Sequence, residues 1–300
     1  MINGSSPFPL RDFLLVSLAA VLVVVVLMAT VYVVSRRTGR IVVVDTAWGL
    51  GFIAVALVSA LLGAVLGGRL HGQDRDYGWT SYSPIDAHGG LDDALHDHAL
   101  RSWGLFVLVA VWGGRLAWHI YSRSRGGAED PRYEELMARG PGGIVRKVLL
   151  PQGLAIWFIS LPVQLSAVLG GRIGVVAWIG VAVWLVGMVF ESVGDAQLSA
   201  YKRDPDRGSV MDRGLWRYTR HPNYFGDACV WWGIWLVVAD VWPGVLTVLS
   251  PVVMTYFLVF ATGARLTEKT MMKRKGYPEY AARTSMFFPL PPKKGADPVS

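Results

Sequence analysis

The stretch GLWRYTRHPNYFGD, Gly214 to Asp227, sets Arg217, Arg220, His221, Asn223 and Asp227 among Trp216, Tyr218 and Tyr224. Guanidinium groups grip phosphate through forked, charge-assisted hydrogen bonds. Lys202 and Arg207 lie a few residues upstream, so with Arg217 and Arg220 they make a cationic patch of phosphate size. Trp216, Tyr218 and Tyr224 offer flat faces for a ring. Asn223 both donates and accepts, as an amide-bearing ring requires. Pro222 keeps His221 out of helical geometry and so fixes the turn. An interfacial belt of Arg, Trp and Tyr is the alternative. A belt accounts for the arginines and aromatics, but not for Asn223 and Asp227 at the point where a long apolar run begins.

A second group precedes it. Glu191, Asp195 and Lys202 are spaced to share one helical face. Two carboxylates running into a lysine suit ribose hydroxyls and a phosphate. If the helix has left the bilayer at Glu191, they simply meet water. Arg115 and His119, four apart, also share a face. They either line an internal cavity or snorkel to the inner interface. The segment from about Gly67 to His98 holds Asp74, Asp76, Asp86, Asp92, Asp93 and Asp97 with His71, His88, His96 and His98. These are metal-ligand types, but the spacing follows no tight site pattern, so the segment reads as a solvated outer loop and no metal is assigned.

Several chemistries are absent. Gly49-Leu-Gly51-Phe-Ile-Ala54 fits G-x-G-x-x-A, yet it lies inside an apolar run rather than between a strand and a helix. Close helix packing by small residues is the reading that suits it. There is no P-loop, HExxH or G-x-S-x-G. Cys229 is the single cysteine, so no internal disulfide can form.

The elements that must hold these residues are membrane helices. The chain is 53% hydrophobic and 17% charged, with mean hydropathy +0.39. Seven spans are expected: Phe13–Val34, Thr46–Val65, Leu100–Ile120, Leu149–Leu169, Ile173–Phe190, Tyr224–Val241 and Val245–Thr262. Each is long enough for a bilayer core of about 30 Å. The residues before Phe13 lack a basic leader, which argues against a cleaved signal. Basic segments follow spans one, three, five and seven, which places the N-terminus outside and the C-terminus in the cytoplasm. In that frame the net charge of +7 is a cytoplasmic bias, not a nucleic-acid footprint. The expectation is one all-α polytopic membrane domain over residues 1–300, ending in an extended FFPLPPKKGADPVS tail.

GLWRYTRHPNYFGD, preceded by ESVGDAQLSAYKRDP and followed by LTEKTMMKRKGYPEYAARTSMFFP, resembles the DUF1295 branch of the steroid 5α-reductase family. The likeness extends to VDTAWGLGF at Val44–Phe52 and WGGRLAWHIYSRSRGGAEDPRY at Trp112–Tyr133, and is strongest over about Glu191–Pro289. It implies seven helices, NADPH bound in a cytosol-facing cavity, and reduction of a carbon–carbon double bond conjugated to a ketone. By the same resemblance Asp195 matches an aspartate that contacts the cofactor. Glu191 stands where many members have Asn, and Lys202 stands at a phosphate-binding arginine. Asn223 matches the asparagine of an A-N-[YF]-[LF]-G-E motif, Asp227 replaces its glutamate, and Glu268 lies near a cofactor-facing histidine. Arg207, Arg217, Tyr218, Arg220, His221 and Tyr224 complete the expected cofactor cradle. Asp45 and Tyr121 are the candidates, by chemistry, for the Glu and Tyr with which the steroid enzymes grip a ketone.

The resemblance thus implies an NADPH-dependent oxidoreductase acting on a steroid or other lipid enone, in a bacterial inner membrane with its cofactor side in the cytoplasm. Two rivals stand beside it. Arg220-His221-Pro222-Asn223-Tyr224-Phe225-Gly226 also fits the R-H-P-x-Y-x-G of S-adenosylmethionine-dependent isoprenylcysteine and phospholipid methyltransferases, although Glu268 is followed by Lys269 where those enzymes carry an acidic pair. A non-catalytic lipid-binding membrane protein is the third reading.

Overall fold

A long uncharged run of Leu, Val and Ala satisfies its backbone in lipid by closing its hydrogen bonds within a helix, since a barrel strand is only about 9–11 residues long. The computed structural model describes residues 8–40, 43–73, 91–124, 141–171, 173–261 and 263–293. Among these residues the regular elements are helical, apart from one isolated bridge between Thr219 and Ser285. Six helices among the described residues are long and apolar enough to cross a membrane: Leu10–Thr38, Val43–Leu66, Asp97–Ser124, Gly142–Ile159, Val175–Arg203 and Gly244–Met271. The protein is an integral membrane protein whose regular elements, among the described residues, are helices.

The chain divides into two compact units, Met1–Val175 with Val237–Thr247, and Val176–Leu236 with Val248–Ser300. The first holds α1 (Leu10–Thr38), α2 (Val43–Gln73) and α3 (Leu91–Ser124). α1 stops at Gly39, whose φ of 68° only glycine adopts without strain. α4 is compound: Pro141–Ile144, a π-helical turn at Val145–Leu149, then Leu150–Ile159. After a break at Ser160, α5 runs Leu161–Ser166. Glycines set the crossings. A methyl on Gly49 would strike the Gly113 carbonyl, and one on Gly51 would lie 2.8 Å from Ile156 Cδ1. Gly49 and Gly51 are therefore packing residues, as expected of small side chains between membrane helices. Trp48, Phe52 and Trp112 add an edge-to-face chain at 5.2 and 5.6 Å. The Asp240 carboxylate accepts from Gly174 N at 2.6 Å and from the Arg101 guanidinium at 3.4 Å.

The second unit holds α6 (Val175–Arg203), α7 (Pro222–Ala239) and α8 (Leu249–Tyr256, closing in a π turn at Phe257–Ala261). α9 (Ala264–Met271) and α10 (Tyr277–Arg283) follow. α6 and α7 meet backbone to backbone. A Cβ on Gly226 would stand 2.5 Å from Glu191 N, and one on Gly233 would stand 2.6 Å from Gly180 O.

Three expectations change in detail. The span expected over Leu149–Leu169 is two helices, because Ser160 leaves helical geometry at ψ 1° just before Pro162. The span expected over Tyr224–Val241 is α7, but Pro222, Asn223 and Asp227 in its first turns keep it outside the six most apolar helices. The outer loop expected over Gly67–His98 is shorter than that, since α2 runs to Gln73 and α3 starts at Leu91. Asp74, Asp76, Asp86 and His88, with Arg125, Arg132 and Arg139, lie outside the described residues, as do the side chains of His71, Asp92, Asp93 and His96. His98 is not in a solvated loop: it is buried in α3 and meets Ala167 O at 3.2 Å.

Candidate functional site

The site is built where α6 ends and α7 begins. Gly194 lets the two come together: a Cβ there would lie 3.1 Å from the Pro222 ring and 3.4 Å from Asn223 N. The first turn of α7 therefore rests on the α6 stretch that carries Glu191 and Asp195. Both carboxylates are buried, 2% and 7% exposed, and so is Asp227 at 7%. Three acids at this depth are costly unless each is solvated by the fold or a ligand.

The intervening turn is pinned at several points. Gly214, at φ 59°, crosses over Gln197, whose Oε1 accepts from Leu215 N at 3.0 Å. The Trp216 indole donates to Gly194 O at 3.0 Å, and the Tyr280 hydroxyl donates to Trp216 O. The C-terminal segment then docks as an added extended piece. Arg220 N donates to Ser285 O at 2.9 Å, Thr219 Oγ1 to Phe287 O at 2.8 Å, and Leu290 N to Tyr218 O at 3.0 Å. Phe225 meets Phe190, Phe287 and Phe288 at 5.1–6.2 Å. Arg283 pairs with Asp212.

Glu268 on α9 is the hub. Arg220 Nε donates to its Oε1 at 2.5 Å and Nη2 to Oε2 at 2.8 Å. Nη1 of the same guanidinium donates to Ala281 O and Thr284 O at 2.7 and 2.8 Å. His221 Nε2 lies 3.3 Å and the Tyr277 hydroxyl 3.4 Å from Glu268 Oε1. His221 stacks on Tyr224 at 5.4 Å and 14°. Burial, and then the negative charge of Glu268, push the Tyr277 hydroxyl above its ordinary pKa; burial does the same for Tyr280. Both stay neutral donors at physiological pH.

Apart from Asn223, the expected cofactor residues thus fall into three groups. Arg220, His221, Tyr224 and Glu268 bind one another. Glu191, Asp195 and Asp227 are buried beside them. Lys202, Arg207, Arg217 and Tyr218 are exposed. Arg207 donates to Lys202 O, whereas Arg217 makes no side-chain hydrogen bond among the described residues. Asn223 is half-buried in the first turn of α7, and its amide likewise makes none. Lys202, expected on one face with Glu191 and Asp195, differs from them in being exposed. Asp45 and Tyr121 belong to the first unit: Asp45 is half-buried in the first turn of α2, and Tyr121 is 44% exposed in the last turn of α3, tilted against Trp118. Arg115 and His119 are half-buried. Tyr277, Tyr280 and the Asp212–Arg283 pair were not anticipated. The i, i+3 spacing of the two tyrosines after Gly276 was the available signal.

Residues 76–284 match the family described as Protein of unknown function (DUF1295). The chain belongs to the DUF1295 family. A stretch of 68 residues is also 37% identical to Steroid 5-alpha-reductase DET2 of Arabidopsis thaliana, covering 22% of this chain and 26% of that protein. The chain therefore matches about a quarter of that curated relative. No solved structure matches it. Both findings agree with the steroid reductase-like branch read from the motifs. In this DUF1295 protein, the geometry gives the candidate site an ionic frame, three buried carboxylates, and an amide and a guanidinium, those of Asn223 and Arg217, that make no hydrogen bond among the described residues.

Proposed function

We propose that the protein is a membrane-embedded, NADPH-dependent reductase of a carbon–carbon double bond conjugated to a carbonyl, acting on a steroid-like or other lipid. The observation that carries this reading is Asn223. It is half-buried in the first turn of α7, where its backbone N packs close to Gly194 of α6, and its side-chain amide makes no hydrogen bond among the described residues. Neither polar atom of this amide is among the buried unpaired ones, so it is open to solvent and available to pair with a ligand. The partial likeness to a steroid 5α-reductase supports the same class of chemistry.

The donor set fits a phosphorylated nicotinamide dinucleotide. Asn223 suits its carboxamide, Asp195 and Glu191 suit ribose hydroxyls, and Arg217, with Lys202 and Arg207, suits phosphate. Bound NADPH supplies the hydride. The residues of the chain bind and orient it, and the Arg220–Glu268–His221–Tyr277 frame holds the α6–α7 turn still and water out. Asp45 or Tyr121, as the carbonyl donor, would hold a proton toward the oxygen that gains negative charge. The topology belonging to this reading has α7 as a seventh crossing, the N-terminus outside, and the site in the cytoplasm of a bacterial cell.

The contact of Arg220 and His221 with Glu268 favours one rival, since an R-H-P motif tied to a later acid also suits a methyltransferase that binds S-adenosylmethionine. Extraction of the detergent-purified protein separates them. NADP(H) in the extract is expected. An S-adenosyl compound would overturn the reductase, and no nucleotide at all would favour a lipid-binding protein.

A further inference from the structure

Four side-chain oxygens carried by buried residues of the first unit have no hydrogen-bond partner among the described residues: Ser59 Oγ on α2, Ser102 Oγ on α3, and Gln164 Oε1 and Ser166 Oγ on α5. Their residues are 1%, 6%, 0% and 1% exposed. Orphaned polar atoms of this kind call for an explanation, and a bound water or ligand group is one.

The register of the helices brings three of them to one level. Gly49 lies against Gly113, while Gly63 and His98 both meet Ala167, so α2 and α3 run antiparallel. Ser59 is four residues before Gly63 and Ser102 four after His98, one helical turn from Ala167 on each helix. Gly51 lies against Ile156 and Gly63 against Ala167, so α2 runs parallel to α4 and α5. Ser59 is eight residues beyond Gly51, and Gln164 is eight beyond Ile156. α2, α3 and α5 pack on one another. The break at Ser160 is what permits the level to be polar: the Gln164 amide donates to Trp157 O and to Ser160 Oγ, both at 2.8 Å, and covers the backbone the break has freed.

We propose that Ser59, Ser102 and Gln164 form an internal site for one neutral hydroxyl group, either a water molecule or the alcohol of a membrane lipid. Both amide hydrogens of Gln164 are spent, so Oε1 needs a donor. The serine hydroxyls can each give or take a hydrogen bond. A group that donates once and accepts twice satisfies all three. An anion cannot donate to Oε1. A metal cation is disfavoured because none of the three residues carries a carboxylate, and the Arg101 guanidinium, on the residue next to Ser102, is paired with Asp240. Water and an alcohol bring the same O–H and differ only in the chain behind it.

A high-resolution structure of the full chain in lipid nanodiscs tests this directly. A single isolated peak between the three side chains identifies water, and a peak continuous with an apolar chain identifies a lipid alcohol. An empty gap, with the serines turned to the carbonyls of Val55 and His98 and the Gln164 amide reversed, overturns the site. Detergent melting gives a second measurement. Ser59→Ala and Ser102→Ala remove two contacts to one shared group, so the double variant should lower the melting temperature by clearly less than the two single shifts added. Fully additive shifts contradict a shared ligand.

Discussion

Arg220 and Glu268 are joined at both ends of the guanidinium, Nε to Oε1 at 2.5 Å and Nη2 to Oε2 at 2.8 Å, with side chains only 10% and 13% exposed. This pair fastens the start of α7 to α9, and the other guanidinium nitrogen fastens it to α10. Arg220 therefore has little capacity left for a phosphate.

Breaking that pair should cost stability before it costs anything else. Removing one partner of a buried ion pair strands the other, at about 3–5 kcal/mol. Arg220→Ala should melt well below wild type in detergent. Arg220→Lys should recover only part of the loss, because an ammonium cannot make the forked contact. An Arg220→Ala protein that melts like wild type would contradict the hub.

Under the proposed NADPH reading, selectivity for its extra phosphate should fall to the exposed cations, and to Arg217 first. Arg217→Ala should weaken NADPH roughly tenfold or more, the size of one charge-assisted contact, and leave NADH and the melting temperature nearly unchanged. Binding titrations with the two nucleotides decide it. Equal weakening of both would remove Arg217 from the phosphate.

The glycines at the α6–α7 crossing should be intolerant in a graded way. A methyl on Gly226 meets the backbone of Gly187 and Glu191 at 2.5 Å, whereas one on Gly114 meets nothing within 4 Å. Gly226→Ala should destabilise by about 1–3 kcal/mol through overpacking. Gly114→Ala should be neutral or stabilising by about 0.5–1 kcal/mol, as expected for a helix interior. Melting curves for the two, run side by side, give the comparison.

Tyr277 and Tyr280 give the protein an alkaline limit. Their pKa values in the folded state are raised above the ordinary 10.0, so the stability they contribute is complete below pH 10 and is lost as pH climbs toward the folded values. Melting should not depend on these two groups between pH 7 and pH 9, a range chosen about one unit or more below the ordinary tyrosine value. In an ultraviolet titration two tyrosines should ionise only as the fold is lost. Their ionisation at the ordinary value, with the fold intact, would contradict the buried hub.

How much of this was legible follows from how local each signal is. Long apolar runs announce membrane helices, so α1, α2, α3 and α6 sit close to their expected spans. The break at Ser160 was hidden because FISLPVQLS keeps its hydropathy through the turn; Pro162 was the clue. The early start of α3 was hidden for the opposite reason, since LDDALHDHAL is too polar to read as part of a span. The polar cluster at 214–227 was visible as a cluster. Its internal pairing was not, because Glu268 lies 48 residues from Arg220 and no periodicity reports so distant a contact. Gln164 was invisible for want of any charge.

The central claim is that the Asn223 region binds a nicotinamide dinucleotide. The most direct measurement is the melting temperature of the detergent-purified protein with NADPH, with S-adenosylmethionine, and with neither. A ligand at a hundredfold over its dissociation constant adds about 2.7 kcal/mol, a readily visible shift. NADPH should stabilise wild type, and S-adenosylmethionine should not. Asn223→Ala and Asp195→Ala should melt like wild type without ligand and lose most of the NADPH shift. If NADPH stabilises both variants as well as wild type, or if S-adenosylmethionine alone shifts wild type, the account is contradicted.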